Sequence, residues 1–105
     1  MLVTALEAQV SDERVSALTA AYRDATRGPM PPGLMRSVLL RHSADPTRWR
    51  IETTWASSEA LAAMRGTGTP RGILIFRAAG AEPTLTILDV VEELQPPGVS
   101  GNPDG

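Results

Sequence analysis

Few side chains in this chain can carry chemistry of their own. His42 is the single histidine, and its unperturbed pKa suits general-base work near neutral pH. Tyr22 offers a phenolic hydroxyl that can donate to, or accept from, a phenol or its anion. Trp49 and Trp55 are the two tryptophans, and their flat apolar rings can stack a planar aromatic ligand. Ile51, Leu61, Met64 and Phe76 would supply apolar walls around such a ligand. These residue types could stack a flat ring and handle a proton through His42 or Tyr22. Each also has a plain structural use: a tryptophan ending a strand anchors a core, and a lone histidine at a strand end is a solvated polar group.

Other chemistries lack their residues. With no cysteine in the chain, disulfides, thiolate metal sites and cysteine nucleophiles are excluded. One histidine and dispersed carboxylates give no recognisable ligand spacing, so neither a metal nor a cofactor is expected. Gly66, Gly68 and Gly72 follow a helix rather than a strand, which is the wrong context for a phosphate-binding loop. The formal charge is −2, and all ten basic residues are arginines scattered along the chain; nucleic acid is therefore not an expected partner. Ile73 to Phe76, the longest apolar run, is too short to cross a bilayer, so no membrane association is expected. The first residues, Met1 to Leu6, lack the basic region and apolar core of a signal peptide, which makes a cytoplasmic location the expectation.

The candidate residues must be positioned by elements that the patterning predicts. Leu2 to Val10 reads as a strand, with Leu2, Leu6, Ala8 and Val10 on one side. Ser11 then caps a helix with Asp12 and Glu13 in its first turn, running to Arg27 with an apolar stripe of Val15, Leu18, Tyr22 and Ala25. Gly28-Pro29-Met30-Pro31-Pro32-Gly33 can be neither helix nor sheet interior, because proline lacks the N–H and fixes φ. Leu34 to His42 and the strand from Trp49 form a hairpin across the turn residues Ser43 to Thr47.

Trp49 to Leu61 is the organising stretch. Trp49, Ile51, Thr53 and Trp55 share one face of a strand, Arg48, Arg50, Glu52 and Thr54 the other. Ser57 is then the N-cap of a helix from Ser58 to Arg65, with Glu59 in its first turn. Residues 70–79 are ambiguous, since Ile73-Leu74-Ile75-Phe76 favours strand while Thr69, Pro70 and Gly80 are helix ends; the ends predict a short helix. Thr84 to Glu93 is the last strand, closing a domain over residues 1–94, with a flexible tail over 95–105.

The resulting order is the β-α-β-β-α-β pattern of ferredoxin-like α+β folds, a four-stranded antiparallel sheet with helices on one face. No element is left to cover the other face. A second copy packed sheet to sheet, forming a homodimer, is the natural cover. Arg36, Arg50, Glu52 and Glu7 are expected to pair across that sheet or at the dimer contact.

At this point the sequence resembles the antibiotic biosynthesis monooxygenase family of dimeric α+β barrels. The likeness rests on Pro32-Gly33-Leu34 opening the second strand, Leu40-Arg41 followed by Asp45-Pro46, the strand ending in Trp55, and Ser58-Glu59-Ala60-Leu61 opening the next helix; it spans residues 2 to 94. The resemblance implies a pocket between the helices and the concave face of the sheet, with Trp55 on its wall. It also implies a cofactor-independent monooxygenase acting on a small planar phenolic or quinol-like molecule of polyketide type. The alternatives are a non-catalytic small-molecule-binding or dimerisation module of the same fold, and a polyketide-cyclase-like catalyst. The match at Trp55 has two departures beside it. Polyketide oxygenases of the family carry an asparagine four residues before the tryptophan and a tyrosine six after, where this chain has Ile51 and Leu61. The one asparagine is Asn102, in the tail. The haem-degrading branch needs an asparagine on the first strand and a histidine after the second helix, and this chain has neither.

Overall fold

Residues 1–97 are described by a computed structural model, in which they form four strands and three α-helices. The strands are β1 (Leu2–Gln9), β2 (Leu34–Arg41), β3 (Arg48–Trp55) and β4 (Thr84–Asp89); the helices are α1 (Val15–Arg27), α2 (Ser58–Arg65) and α3 (Arg71–Ala78). The strands form one antiparallel sheet in the order β2-β3-β1-β4. This is the ferredoxin-like α+β fold that the order of elements predicts, with α3 as an added short helix.

Several boundaries differ from the patterning. Ser11 takes the expected N-cap position, with Asp12 and Glu13 in the first turn, but that turn is 3-10 (Asp12–Arg14) before α1 begins, and the Ser11 side chain makes no cap bond. The Ser11 carbonyl instead accepts from the Arg14 N–H at 2.9 Å, closing a tight turn. Residues 71–78 are helical, so flanking signals prevail over the β-branched composition. The cap is not Thr69, however; Pro70 takes that position without a side-chain bond, and its carbonyl accepts from the N–H groups of Ile73 (3.1 Å) and Leu74 (3.3 Å). At the other end Gly80, at φ +72°, lets Ala81 N–H reach Phe76 O at 3.0 Å and Gly80 N–H reach Arg77 O at 2.9 Å, a Schellman ending. The last strand stops at Asp89 rather than Glu93. The expected tail lies, from residue 98 on, outside the described residues.

The strand-to-helix corner forms as predicted. Ser57 is extended (φ −155°, ψ 163°) and its Oγ accepts from the Ala60 N–H at 3.1 Å. One face of the sheet is thereby covered. Leu6, Val10, Leu18, Trp49, Ile51, Ile75, Phe76 and Ala79 form the larger buried cluster; Leu2, Trp55 and Leu61 form a smaller one at the other end of the strands. Register places Val3, Ala5 and Glu7 of β1, Val38 and Leu40 of β2, Arg50, Glu52 and Thr54 of β3, and Thr86 and Leu88 of β4 on the opposite face, which no helix covers. Two charge pairs lie there, Arg48–Glu7 at 3.5 Å and Arg50–Glu52 at 3.4 Å. All six residues of β4 are exposed, Leu85, Ile87 and Leu88 among them.

Candidate functional site

The two apolar clusters do not merge, and the reason lies in the pairing register. On the helix-facing side of the central strands, Leu6 and Ile51 belong to the larger cluster, Leu2 and Trp55 to the smaller. Between them Thr4 pairs with Thr53, and Thr53 with Ser37 on β2. Three hydroxyl-bearing residues thus sit side by side on adjacent strands, where same-face neighbours have Cβ atoms roughly 4.5–5.5 Å apart. Above them is a cavity of about 770 Å³, open to solvent on one side. Its volume falls in the range of small-molecule sites, roughly 300–1,000 Å³.

Each wall has a local cause. The floor is the row Ser37, Thr53, Thr4 with Ile51 and Leu6 beside it. Tyr22 and Ala25, from the apolar stripe of α1, form one side. The stiff Pro29–Gly33 loop closes over the top, and Gly33, at φ +84°, comes so close to α2 that a Cβ there would overlap the Cβ of Ala60. Ala60, Ala63 and Met64 of α2 form the far wall. Arg71, at the start of α3, ties the parts together: its guanidinium donates to Pro29 O at 2.7 Å and to Ala25 O at 3.3 Å. Ala25 is in the last turn of α1, where carbonyls lack helical partners, so Arg71 both finishes that helix and holds the loop.

The polar contacts at the floor are few and defined. Tyr22 Oη and Ser37 Oγ are 2.9 Å apart, and either can be the donor. Trp55 donates its indole N–H to Thr4 Oγ1 at 3.1 Å, a buried bond that orients the ring along the cavity wall. Thr53, on the lining, makes no side-chain hydrogen bond among the described residues. At the open side lies Glu59, whose carboxyl is held below its ordinary value chiefly by its own backbone N–H, then by the Ser58 hydroxyl. It is therefore ionised at neutral pH and a weak base.

Four of the eight residues singled out from the sequence meet at the cavity: Tyr22, Ile51, Trp55 and Met64. Four do not. Trp49, expected to stack the same ligand, is buried in the larger cluster; four residues before Thr53 on β3, it packs with residues of α1 and α3, with the Arg41 guanidinium 5.7 Å from its ring centre. Phe76 is fully buried in the same cluster, and Leu61 backs Trp55 from inside the smaller one, off the lining. His42 is exposed in the hairpin loop, where its Nδ1 accepts from the Ala44 N–H at 3.3 Å. It borders a separate recess of about 260 Å³ with Glu7 and Arg48, so the structure gives it no access to the cavity. The residues missed were Thr4, Ser37, Thr53 and Arg71. Thr53 had a visible signal, a hydroxyl interrupting the row Trp49, Ile51, Trp55; Ser37 and Thr4 become significant only once the strands are paired.

Comparison with known proteins agrees with this geometry. The family model described as antibiotic biosynthesis monooxygenase matches residues 1–71, and no curated protein sequence matches. Among solved structures, a protein of Deinococcus radiodurans assigned to antibiotic biosynthesis monooxygenases superposes with a TM-score of 0.70 at 14% identity, covering 93% of this chain and all of the other. The haem-degrader MhuD of Mycobacterium tuberculosis, solved with two haems in its active site, gives 0.67 at 23% identity over 90% of this chain and all of its own. SnoaB, a cofactor-independent oxygenase of Streptomyces nogalater, gives 0.62 at 16% identity over 89% of this chain and 95% of its own. At these identities the superpositions speak for the fold. The described lining offers neither an imidazole nor a thiolate; Tyr22, Met30 and Met64 are its residues of a type that ligates haem iron.

Proposed function

The chain belongs to the antibiotic biosynthesis monooxygenase family, and on that footing we propose that it is a cofactor-independent monooxygenase of a small planar phenol or quinol. The observation that carries the reading is the cavity itself: apolar walls from Ile51, Met64 and Trp55 around a floor of hydroxyls, open on one side. Such a site can desolvate an aromatic ring and still hold its oxygens.

The chemistry needs no redox group from the protein. The substrate's ring hydroxyl loses its proton to water at the open side, beside Glu59, and the resulting anion is held by hydroxyl donors on the floor. That anion passes one electron to dioxygen, the two radicals join as a peroxide anion at a ring carbon bearing hydrogen, and the anion takes a proton back from water to become the hydroperoxide. Loss of water leaves a carbonyl there; one oxygen atom stays in the product, the other leaves as water, and the substrate supplies all the electrons. Trp55 and Met64 hold the ring, and the Tyr22–Ser37 pair holds an oxygen. His42, in the hairpin loop, takes no part in this reading. Oxygen-electrode measurements with hydroquinones and anthrone-like phenols test it. We expect uptake above the protein-free rate, with one dioxygen consumed per carbonyl formed; a protein that binds these phenols without oxygen uptake is a binding module instead.

The uncovered sheet face supports a homodimer. Val38 and Leu40 on β2 and Val3 and Leu88 on β1 and β4 lie there on either side of the Arg50–Glu52 pair of β3, with Arg48–Glu7 beside them, a mixed apolar and charged face that suits a second sheet packed against it. Light scattering is expected to give twice the 11.2 kDa chain mass. A stable monomer at micromolar concentration would contradict the pairing.

A further inference from the structure

We infer that the hydroxyl row Ser37, Thr53, Thr4 reads the ligand: it selects a ring carrying two separated acceptor oxygens over a ring without them, and Thr53 is the central specificity-determining residue. The inference rests on the reading above, that the cavity holds a planar oxygenated ring.

Hydrogen counting shows what the row offers. In the Tyr22–Ser37 pair one hydroxyl donates to the other. Whichever way the bond runs, one of the two hydrogens remains for a ligand. Thr4 Oγ1 is occupied as an acceptor by the Trp55 N–H, which leaves its own hydrogen free to donate. Thr53 makes no hydrogen bond with a described residue and lines the cavity between the other two. The floor therefore presents the hydroxyl hydrogens of Thr53 on β3 and Thr4 on β1, and a third on either Ser37 of β2 or Tyr22 of α1, with apolar residues on both sides of the row.

The spacing is set by the sheet. Adjacent strands lie roughly 4.7–4.9 Å apart, so neighbouring donors repeat at about the width of one six-membered ring with its substituents. Two acceptor oxygens set meta or para to each other on one ring can meet two neighbouring donors. The Trp55–Thr4 bond fixes one end of the row relative to the wall, because the same hydroxyl that faces the ligand also orients the indole.

Calorimetric titration with 1,4-naphthoquinone and with naphthalene separates this inference from the reading beneath it. The quinone carries two para acceptor oxygens and cannot itself be the oxygenase substrate; naphthalene has the same ring area without oxygens. The native protein is expected to prefer the quinone by tenfold or more. Thr53→Val keeps the β-branched shape and is expected to cut quinone affinity roughly tenfold, the cost of leaving an acceptor unpaired, while naphthalene affinity stays the same and shows the fold intact. Ser37→Ala should add a smaller loss. Equal binding of the two compounds by the native protein, or an unchanged quinone affinity in Thr53→Val, overturns the inference and leaves an apolar aromatic site. Failure of both compounds to bind the native protein overturns the underlying reading as well.

Discussion

Trp55→Ala is expected to lower the free energy of unfolding by about 3–5 kcal/mol, the cost of removing a large aromatic from a packed site. Trp55 is only 3% exposed. It packs on Leu2 and Leu61, with Leu34, Ala60 and Met64 around them, so its loss would open a void that joins the cavity beside it. Against a domain stability of about 5–15 kcal/mol, the variant would be near its limit, and its urea midpoint should fall steeply. Trp55→Phe keeps most of the area and loses the N–H to Thr4 Oγ1; it should cost about 1–2 kcal/mol and is the better variant for functional assays. A Trp55→Ala midpoint close to that of the native protein would show that the ring is a free stacking plate rather than the keystone of the smaller cluster. The structural and ligand-facing roles of this residue coincide, since the lining exposes a small part of a ring that is otherwise buried.

Gly33→Val should be nearly as damaging, for a different reason. Gly33 has φ +84°, a left-handed conformation that costs an L-residue about 1–2 kcal/mol and is worse for a β-branched one. Its new Cβ would also overlap Ala60 on α2, an overpacking that typically costs about 1–3 kcal/mol. The loop cannot easily move away to relieve this. Gly33 O accepts from the Ala56 N–H at 2.8 Å and Leu34 N–H reaches Pro31 O at 3.2 Å, while Arg71 grips Pro29. We expect a loss of about 2–5 kcal/mol by thermal unfolding together with weakened ligand binding, because the same loop roofs the cavity. Gly28→Ala is the control: a Cβ there meets nothing within 4 Å, and the melting temperature should hardly change.

The fold was largely legible because its signals are local. Trp49, Ile51, Thr53 and Trp55 alternate over one strand, Ser57 caps the helix that follows, and Gly80 ends α3, each within a few residues of the element it defines. Boundaries misread were those decided elsewhere. Ser11 is the N-cap, yet the turn it opens is 3-10 and its side chain makes no bond; Thr84 to Glu93 reads as one strand, but β1 offers partners only as far as Asp89. The site was less legible, because it is made by pairing. Nothing in the residues near Ser37 links it to Thr53 or Thr4 before register does so. Trp49 and Trp55 look equivalent along β3, and only the positions of α1, α2 and α3 above them put one in the core and the other on the cavity wall. His42 drew attention as the sole histidine, but the hairpin carries it away from the helix-covered face.

The central claim is that this cavity is where a planar phenol is held and oxygenated, and plugging it is the most direct test. Ala63 lines the cavity from α2 while its backbone stays in an exposed helix, so Ala63→Phe can fill the space with little cost to the core. Oxygen uptake should be measured for the native protein and for Ala63→Phe in parallel, with the same anthrone-like phenol and with unfolding curves confirming equal stability. Uptake by the native protein that is lost in Ala63→Phe is the predicted result. No uptake by the native protein with any phenol, or uptake undiminished by the plug, would contradict the account.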